Sequence, residues 1–142
     1  MKISTRGRYA IRVLVDMAEH DKGGYIPLKD IAERQEISQK YLEGIMILLS
    51  KSKIVDAVHG KGGGYKLAVD PDECTLYRVL KATEGSLAPV TCLAGEKNDC
   101  ERAFDCRTLA LWREFYDVIK EFFGKKTIKD LMRKENGGEY VI

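Results

Sequence analysis

The sequence has little of what enzymes and membrane proteins depend on. It contains two histidines and no hydrophobic run of membrane-spanning length, since its most apolar stretch covers only residues 45–49. His20 and His59 have no nucleophile at a motif spacing, which predicts that the protein is not an enzyme. The first residues lack the apolar block of a secretory signal, so we expect a cytoplasmic protein without a membrane segment.

The net charge is also small, +2 over 142 residues, but it is unevenly distributed. Residues 1–66 contain 12 Lys and Arg against 8 Asp and Glu, whereas residues 67–142 contain 12 against 14. A basic first half indicates a part of the chain that faces phosphate, joined to a part with another role. The 44% of hydrophobic residues are enough for the core of one domain, alone or with an attached arm.

Helical periodicity predicts three helices in the first fifty residues. Ser4 is the expected N-cap of a helix that runs to His20, and a short helix over residues 28–34 follows Pro27. After a tight connection, Ser38 caps a third helix whose apolar positions are Leu42, Ile45, Met46 and Leu49. A helix, a short turn and a second capped helix have the spacing of a helix-turn-helix.

A glycine-rich hairpin follows this pair of helices. Residues 54–58 and 65–69 are predicted strands, and the loop between them contains four glycines. A hairpin directly after the second helix is the wing of a winged helix-turn-helix. A nucleotide-binding loop is disfavoured, because the glycines lead into a strand and not into a helix. A merely flexible hairpin is the alternative.

The second half contains a predicted helix over residues 76–84, capped by Thr75, and a long helix over residues 107–123. Two apolar stripes on the long helix need cover from two sides, which predicts a homodimer. The expected interface consists of Leu109, Trp112, Phe115, Tyr116, Ile119 and Phe123.

The predicted fold is mainly α with a small β-hairpin. Residues 1–70 form a winged helix-turn-helix domain. Residues 71–106 form a connecting helix and a cysteine-containing loop. Residues 107–142 form a dimerisation helix and a tail that packs back on the winged domain.

The candidate DNA contacts lie on three segments, namely the basic N-terminus, the start of the third helix and the wing. Gln39 can pair with adenine and Glu43 can accept from cytosine, whereas the basic residues would contact phosphate. Arg12 extends the basic side of the first helix. The full predicted set is Lys2, Arg6, Arg8, Ser38, Gln39, Lys40, Tyr41, Glu43, His59, Lys61, Gly62 and Gly63.

Three of the four cysteines, Cys92, Cys100 and Cys106, lie in one polar loop. Structural zinc sites usually contain paired C-x2-C knuckles, which are absent here. Widely spaced thiolates suit an iron–sulfur cluster, although a loop with incidental thiols is equally compatible with the spacing. Three thiolates leave one coordination position open. Cys74 is expected to be a small buried residue.

The chain resembles the Rrf2 (Rrf-two) family of winged-helix transcriptional regulators along nearly its whole length. The resemblance lies in MKISTRGRYA at residues 1–10, PLKDIAER at 27–34, the residues from Ile37 to Glu43 and the wing GKGGGY at 60–65. It implies that Cys92, Cys100 and Cys106 bind a cluster, and residues 109–113 are similar to the iron–sulfur branch, which implies [2Fe-2S]. It also implies a homodimer that binds double-stranded DNA at a palindromic operator and represses the genes of cluster assembly.

The sequence departs from the family pattern at several positions. Leu109 stands where the iron–sulfur branch commonly has a histidine ligand, and Arg8 stands where the nitric-oxide-sensing branch can use a carboxylate. Asp105, Thr108, another loop carboxylate, a partner-chain residue or an external thiol therefore stay open as the fourth ligand. The first cysteine gap is two residues longer than is common. Gly44 and His59 replace a glutamine and an arginine, so we expect a different operator preference.

Three other functions fit the same motifs. One is a relative of the cysteine-metabolism branch, controlled by a protein partner or by thiol oxidation, which the tail from Tyr140 to Ile142 resembles. Another is a nitric-oxide sensor. A third is a protein-interaction module with a zinc-bound loop and no DNA role.

Overall fold

The computed structural model describes residues 2–134 and confirms the predicted fold class, helices with one small hairpin. Its elements are α1 (Thr5–Glu19), α2 (Leu28–Gln35), α3 (Gln39–Lys51), β1 (Val55–Val58), β2 (Gly64–Leu67), α4 (Leu76–Glu84), α5 (Leu109–Lys125) and α6 (Ile128–Leu131). Two short 3-10 turns, Thr91–Leu93 and Ala103–Asp105, interrupt the loop between α4 and α5. No helix within residues 2–134 is both long and apolar enough to cross a membrane.

The main core lies where α1 packs against α2, α3, α4 and α6. Apolar side chains at helical spacing make one face of α1 mainly apolar, and burying that face drives the packing. The most deeply buried large side chains include Leu14, Met17, Ile31, Leu42, Ile45, Met46, Leu49 and Ile128.

The helix-turn-helix is formed by α2 and α3. Glu36 ends α2 in a left-handed conformation, with φ 55° and ψ 44°, which reverses the chain within one residue. Ile37 is buried beside this turn, and the Ser38 hydroxyl accepts a hydrogen bond from the Tyr41 N–H at 3.1 Å. The predicted cap is thus confirmed, and it fixes the direction in which α3 leaves the turn.

The wing is an antiparallel hairpin in which Val55 pairs with Leu67 and Val58 with Gly64. Each strand has four residues and not the predicted five, and β2 begins one residue earlier than predicted. Lys53, at φ 59°, turns the chain before β1. Tyr65 also exchanges backbone hydrogen bonds with Ile26, at 2.7 and 2.9 Å. This bridge ties the base of the wing to the segment that leads into α2.

The end of the described chain returns to the winged domain. Thr127 and Asp130 form a capping box that starts α6, and Ile128 of this helix is fully buried in the main core. The Ile128 N–H also donates to the Cys74 carbonyl at 3.0 Å. The tail from Tyr140 to Ile142 lies outside the described residues.

Candidate DNA-contacting surface and cysteine loop

The first turns of α3 present the predicted polar residues to solvent. Because Leu42, Ile45, Met46 and Leu49 take the inner face, the side chains of Gln39, Lys40, Tyr41 and Glu43 are exposed. A helix held in this way can enter the major groove with its N-terminal residues toward base edges.

Arg6 of α1 lies beside this part of α3. Arg6, Ser38, Lys40, Tyr41 and Gly44 line a groove of about 590 Å³ along the outer side of the helix. The fold therefore brings together basic and polar residues that are more than thirty positions apart in the sequence. Phosphate contacts from such a rim would set the register of α3 on the duplex.

An aromatic pair that the sequence did not indicate supports Tyr41. The Tyr9 ring meets it edge to face, with centroids 5.8 Å apart and an interplanar angle of 79°. The Arg12 guanidinium lies 5.0 Å from the Tyr9 ring centroid and donates to the Gln35 carbonyl at 2.5 Å. Arg12, which stays exposed, thus joins α1 to the end of α2. Arg8 is exposed and donates to the Thr5 hydroxyl at 2.9 Å.

The wing tip exposes His59, Lys61 and Gly62. Gly63 closes the loop by donating to the Gly60 carbonyl at 3.0 Å, and a Cβ at Gly63 would collide with the Val58 carbonyl. The tight turn therefore requires glycine at this position. The ammonium of Lys66, on β2, lies 5.2 Å from the Tyr25 ring centroid.

All four cysteines are free thiols. Cys92 is half-buried, whereas Cys100 and Cys106 are exposed on the loop between α4 and α5. Cys74 is only 1% exposed, as predicted, and burial raises the pKa of its thiol. Within residues 2–134, no three His, Cys, Asp or Glu side chains are close enough together to hold a metal ion. The fold therefore places the three candidate ligands on one loop without gathering them.

Cys106 differs from an ordinary exposed thiol. Its Sγ lies 3.6 Å from the Thr108 hydroxyl, and hydrogen bonds from that side chain and from the Thr108 backbone lower the pKa of Cys106. A lower pKa increases the thiolate fraction, which is the form that binds metals and reacts with electrophiles. Thr108, one of the possible fourth ligands, contacts the Cys106 sulfur in this structure.

The long helix α5 divides its two apolar stripes between the subunit and solvent. Leu109 and Ile119 are 7% and 5% exposed, and Ile119 packs with Leu80 and Leu87. These two predicted interface residues are therefore already covered by their own chain, which corrects their assignment. Trp112, Tyr116 and Phe123 are half-buried. The exposed stripe consists of Leu111, Phe115, Val118 and Phe122.

Comparison with known proteins places this arrangement in a family. A family model described as "Rrf2: Iron-dependent Transcriptional regulator" matches residues 3–134. The HTH-type transcriptional regulator IscR of Photobacterium profundum is 37% identical over 136 residues, which are 96% of this chain and 78% of that protein.

Two solved structures are similar over most of the chain. CymR (YrzC), the global cysteine regulator of B. subtilis, has a TM-score of 0.72 at 32% identity, covering 92% of this chain and 95% of that one. T. potens IscR has a TM-score of 0.70 at 33% identity, covering 92% of this chain and 85% of that one. The chain belongs to the Rrf2 family and is a DNA-binding transcriptional regulator, not an enzyme.

Proposed function

We propose that this protein is a cytoplasmic, dimeric repressor whose binding to operator DNA responds to an iron–sulfur cluster. The cluster would be a [2Fe-2S] group held by Cys92, Cys100 and Cys106, and the regulated genes would be those of cluster assembly. The observation that carries this proposal is the placement of three free thiols on one loop that begins where α4 packs against α1. The loop thus continues from a helix that packs against the first helix of the DNA-binding domain.

The donor set fits such a group. Thiolates are the preferred ligands of iron–sulfur clusters, and the ligands must be deprotonated to bind. The lowered pKa of Cys106 favours its deprotonated form. Because the three thiols are not gathered in the structure, binding would have to draw the loop together and so order it. A bound cluster supplies a group whose presence and oxidation state vary with iron supply and oxidants.

The proposed operator is palindromic. A two-fold dimer presents two recognition helices related by symmetry, which read two half-sites in opposite directions. The exposed stripe of α5, which includes Phe115 and Val118, is the surface that a second copy would cover. His59 on the wing and Gly44 on α3 would make the operator differ from those of relatives with longer side chains there.

Anaerobic reconstitution tests the cluster. We expect about two iron and two sulfide per chain, together with visible absorption of thiolate-to-iron charge transfer. The Cys92→Ala/Cys106→Ala variant should lose both, whereas Cys74→Ala should retain them because Cys74 is buried away from the loop. A colourless wild-type protein, or full loading of the double variant, would contradict the proposal.

A second candidate is regulation of sulfur metabolism by thiol oxidation or by a protein partner. It is favoured by the similarity to the B. subtilis cysteine regulator and by the exposure of Cys100 and Cys106. In this case the protein would stay free of iron, yet mild peroxide would change its DNA affinity and dithiothreitol would restore it. Capture of a cysteine-synthesis enzyme by the purified protein would support the partner version.

A further inference from the structure

The N-terminal end of α1 and the C-terminal end of α4 are joined through one carboxylate. Oε1 of Glu84 accepts hydrogen bonds from the backbone N–H of Ser4, at 3.2 Å, and from the Ser4 hydroxyl. The same hydroxyl accepts from the Gly7 N–H at 3.0 Å and so caps α1. A negative charge at this end of the helix also interacts favourably with the α1 dipole. Glu84 therefore holds the residue that starts the helix.

A close approach of α1 and α4 also fixes the contact between Ser4 and Glu84. A Cβ at Gly7 would collide with Glu84 Oε1 and would come within 3.3 Å of Thr83 Oγ1. Arg6 adds a second link, because its Nε donates to the Thr83 carbonyl at 3.1 Å. The beginning of α1 thus lies directly against the last turn of α4, and a Cβ at Gly7 would displace the Glu84 carboxylate from its place beside Ser4.

The contact between the start of α1 and the end of α4 positions residues of the candidate DNA-contacting surface. Arg6, which bonds to Thr83, also lines the groove beside Lys40 and Tyr41 of α3. Lys2 lies two residues before Ser4 and is exposed. A shift of Glu84 relative to α1 would therefore move two cationic side chains against the recognition helix.

The first residues of the cysteine loop also lie beside the contact between Ser4 and Glu84. Gly85, at φ 81°, turns the chain after Glu84, and the residues that follow run back along Lys2 and Ile3. Leu87 is 5% exposed and packs in a cluster with Leu80, to which Ile3 also contributes. Cys92 comes five residues later. One short segment thus contacts the N-terminal arm and leads into the candidate ligands.

We propose that Glu84 is a positioning residue that couples the state of the cysteine loop to the placement of Lys2 and Arg6 for DNA binding. When the residues that follow Glu84 move, the hydrogen bonds between Glu84 and Ser4 change, and the N-terminal arm shifts as a result. The inference rests on the proposed sensing role of the loop but not on the nature of the group that the loop binds. Coupling of this kind is reciprocal, so DNA would also change the affinity of the loop for the group that it binds.

Alkylation of the cluster-free protein tests the coupling. Iodoacetamide would modify the loop thiols, and mass spectrometry would verify that buried Cys74 is spared. The probe is a fluorescein-labelled duplex selected from a random library by the untreated protein. Alkylation should change its Kd at least about fivefold in the wild type, as is typical of allosteric coupling. In Glu84→Gln and in Ser4→Gly, the ratio of the Kd after alkylation to the Kd before it should fall toward one. The double variant should show no further fall in this Kd ratio.

Matched variants keep the result interpretable. Ser4→Gly removes the hydroxyl at little cost to the cap, so it keeps the test informative if Glu84→Gln does not fold. Glu73→Gln removes one negative charge from an exposed site and should retain the wild-type Kd ratio. The inference would be overturned if alkylation changed the Kd of the Ser4 and Glu84 variants as much as that of the wild type, or if it did not change the Kd of the wild type. Failure to load iron would count against the proposed cluster but not against this result, because the experiment uses no iron.

Discussion

The Asp16 carboxylate of α1 accepts hydrogen bonds from two nitrogens of Arg34, at 2.7 Å from Nη2 and 2.9 Å from Nε. Gln35 Nε2 donates a third bond at 2.9 Å. Asp16 is only 2% exposed, and its two partners stand at the end of α2. This buried ion pair therefore fixes the end of α2 on α1, which sets the point from which the turn and α3 emerge.

Replacing Asp16 with Asn should destabilise the protein by about 2 kcal/mol, because charged hydrogen bonds to a buried acceptor are lost. The free energy of unfolding in urea measures the effect. Asp72→Asn removes an exposed carboxylate and should change this free energy by no more than about 0.5 kcal/mol. Equal stability of the two variants would show that the Arg34 pair does not fix the helices.

The same pair predicts a pH dependence. Burial opposes the charged form of Asp16, but the hydrogen bonds from Arg34 and Gln35 and the charge of Arg34 outweigh it and lower the pKa of Asp16. A lowered pKa stabilises the folded state above the unfolded value of about 3.9, and this stability is lost as the pH falls through the folded value. The difference in melting temperature between wild type and Asp16→Asn should therefore be largest near neutral pH and shrink in acid. A difference that stays constant down to strongly acidic pH would contradict this account of the pair.

Local patterns in the sequence were sufficient to predict the elements that position the surface. The caps at Ser4, Ser38 and Thr75 and the glycine wing were recognisable, because capping and tight turns depend on a few neighbouring residues. The Asp16–Arg34 pair and the Ser4–Glu84 contact were not recognisable in the sequence, because each connects separate helices. The pattern of α5 showed two apolar stripes but could not show that Leu109 and Ile119 face their own chain. That choice depends on how α5 packs against α4.

Cys106 should be alkylated faster than Cys100 near neutral pH. Its pKa is lowered by Thr108, so a larger fraction is thiolate, which is the reactive form. In Thr108→Val the pH–rate profile of Cys106 should shift to higher pH, whereas Thr91→Val beside Cys92 should leave it in place. Peptide mass spectrometry separates the two sites, because trypsin cleaves after Arg102. Identical profiles in wild type and Thr108→Val would exclude this role for Thr108.

Val118→Arg should convert the proposed dimer into a monomer. Val118 is 60% exposed in the centre of the apolar stripe on α5, and a buried unpaired charge at an interface is strongly unfavourable. Sedimentation velocity measures the association state. Leu131→Arg, at an exposed apolar position outside α5, should leave it unchanged. A Val118→Arg dimer of wild-type affinity would place the interface elsewhere.

Two lysines of the wing should differ in their contribution to DNA binding. Lys61 is exposed at the tip, whereas the Lys66 ammonium lies 5.2 Å from the Tyr25 ring centroid. If Lys61 neutralises a phosphate, Lys61→Ala should reduce the slope of log K against log salt by about 0.9, the value for one released counterion. Lys66→Ala should leave the slope nearly unchanged, although both variants lose the same charge. Fluorescence anisotropy of a labelled duplex at several salt concentrations gives both slopes. Equal slopes for the two variants would show that net charge alone, and not the position of Lys61 on the wing, determines the salt dependence.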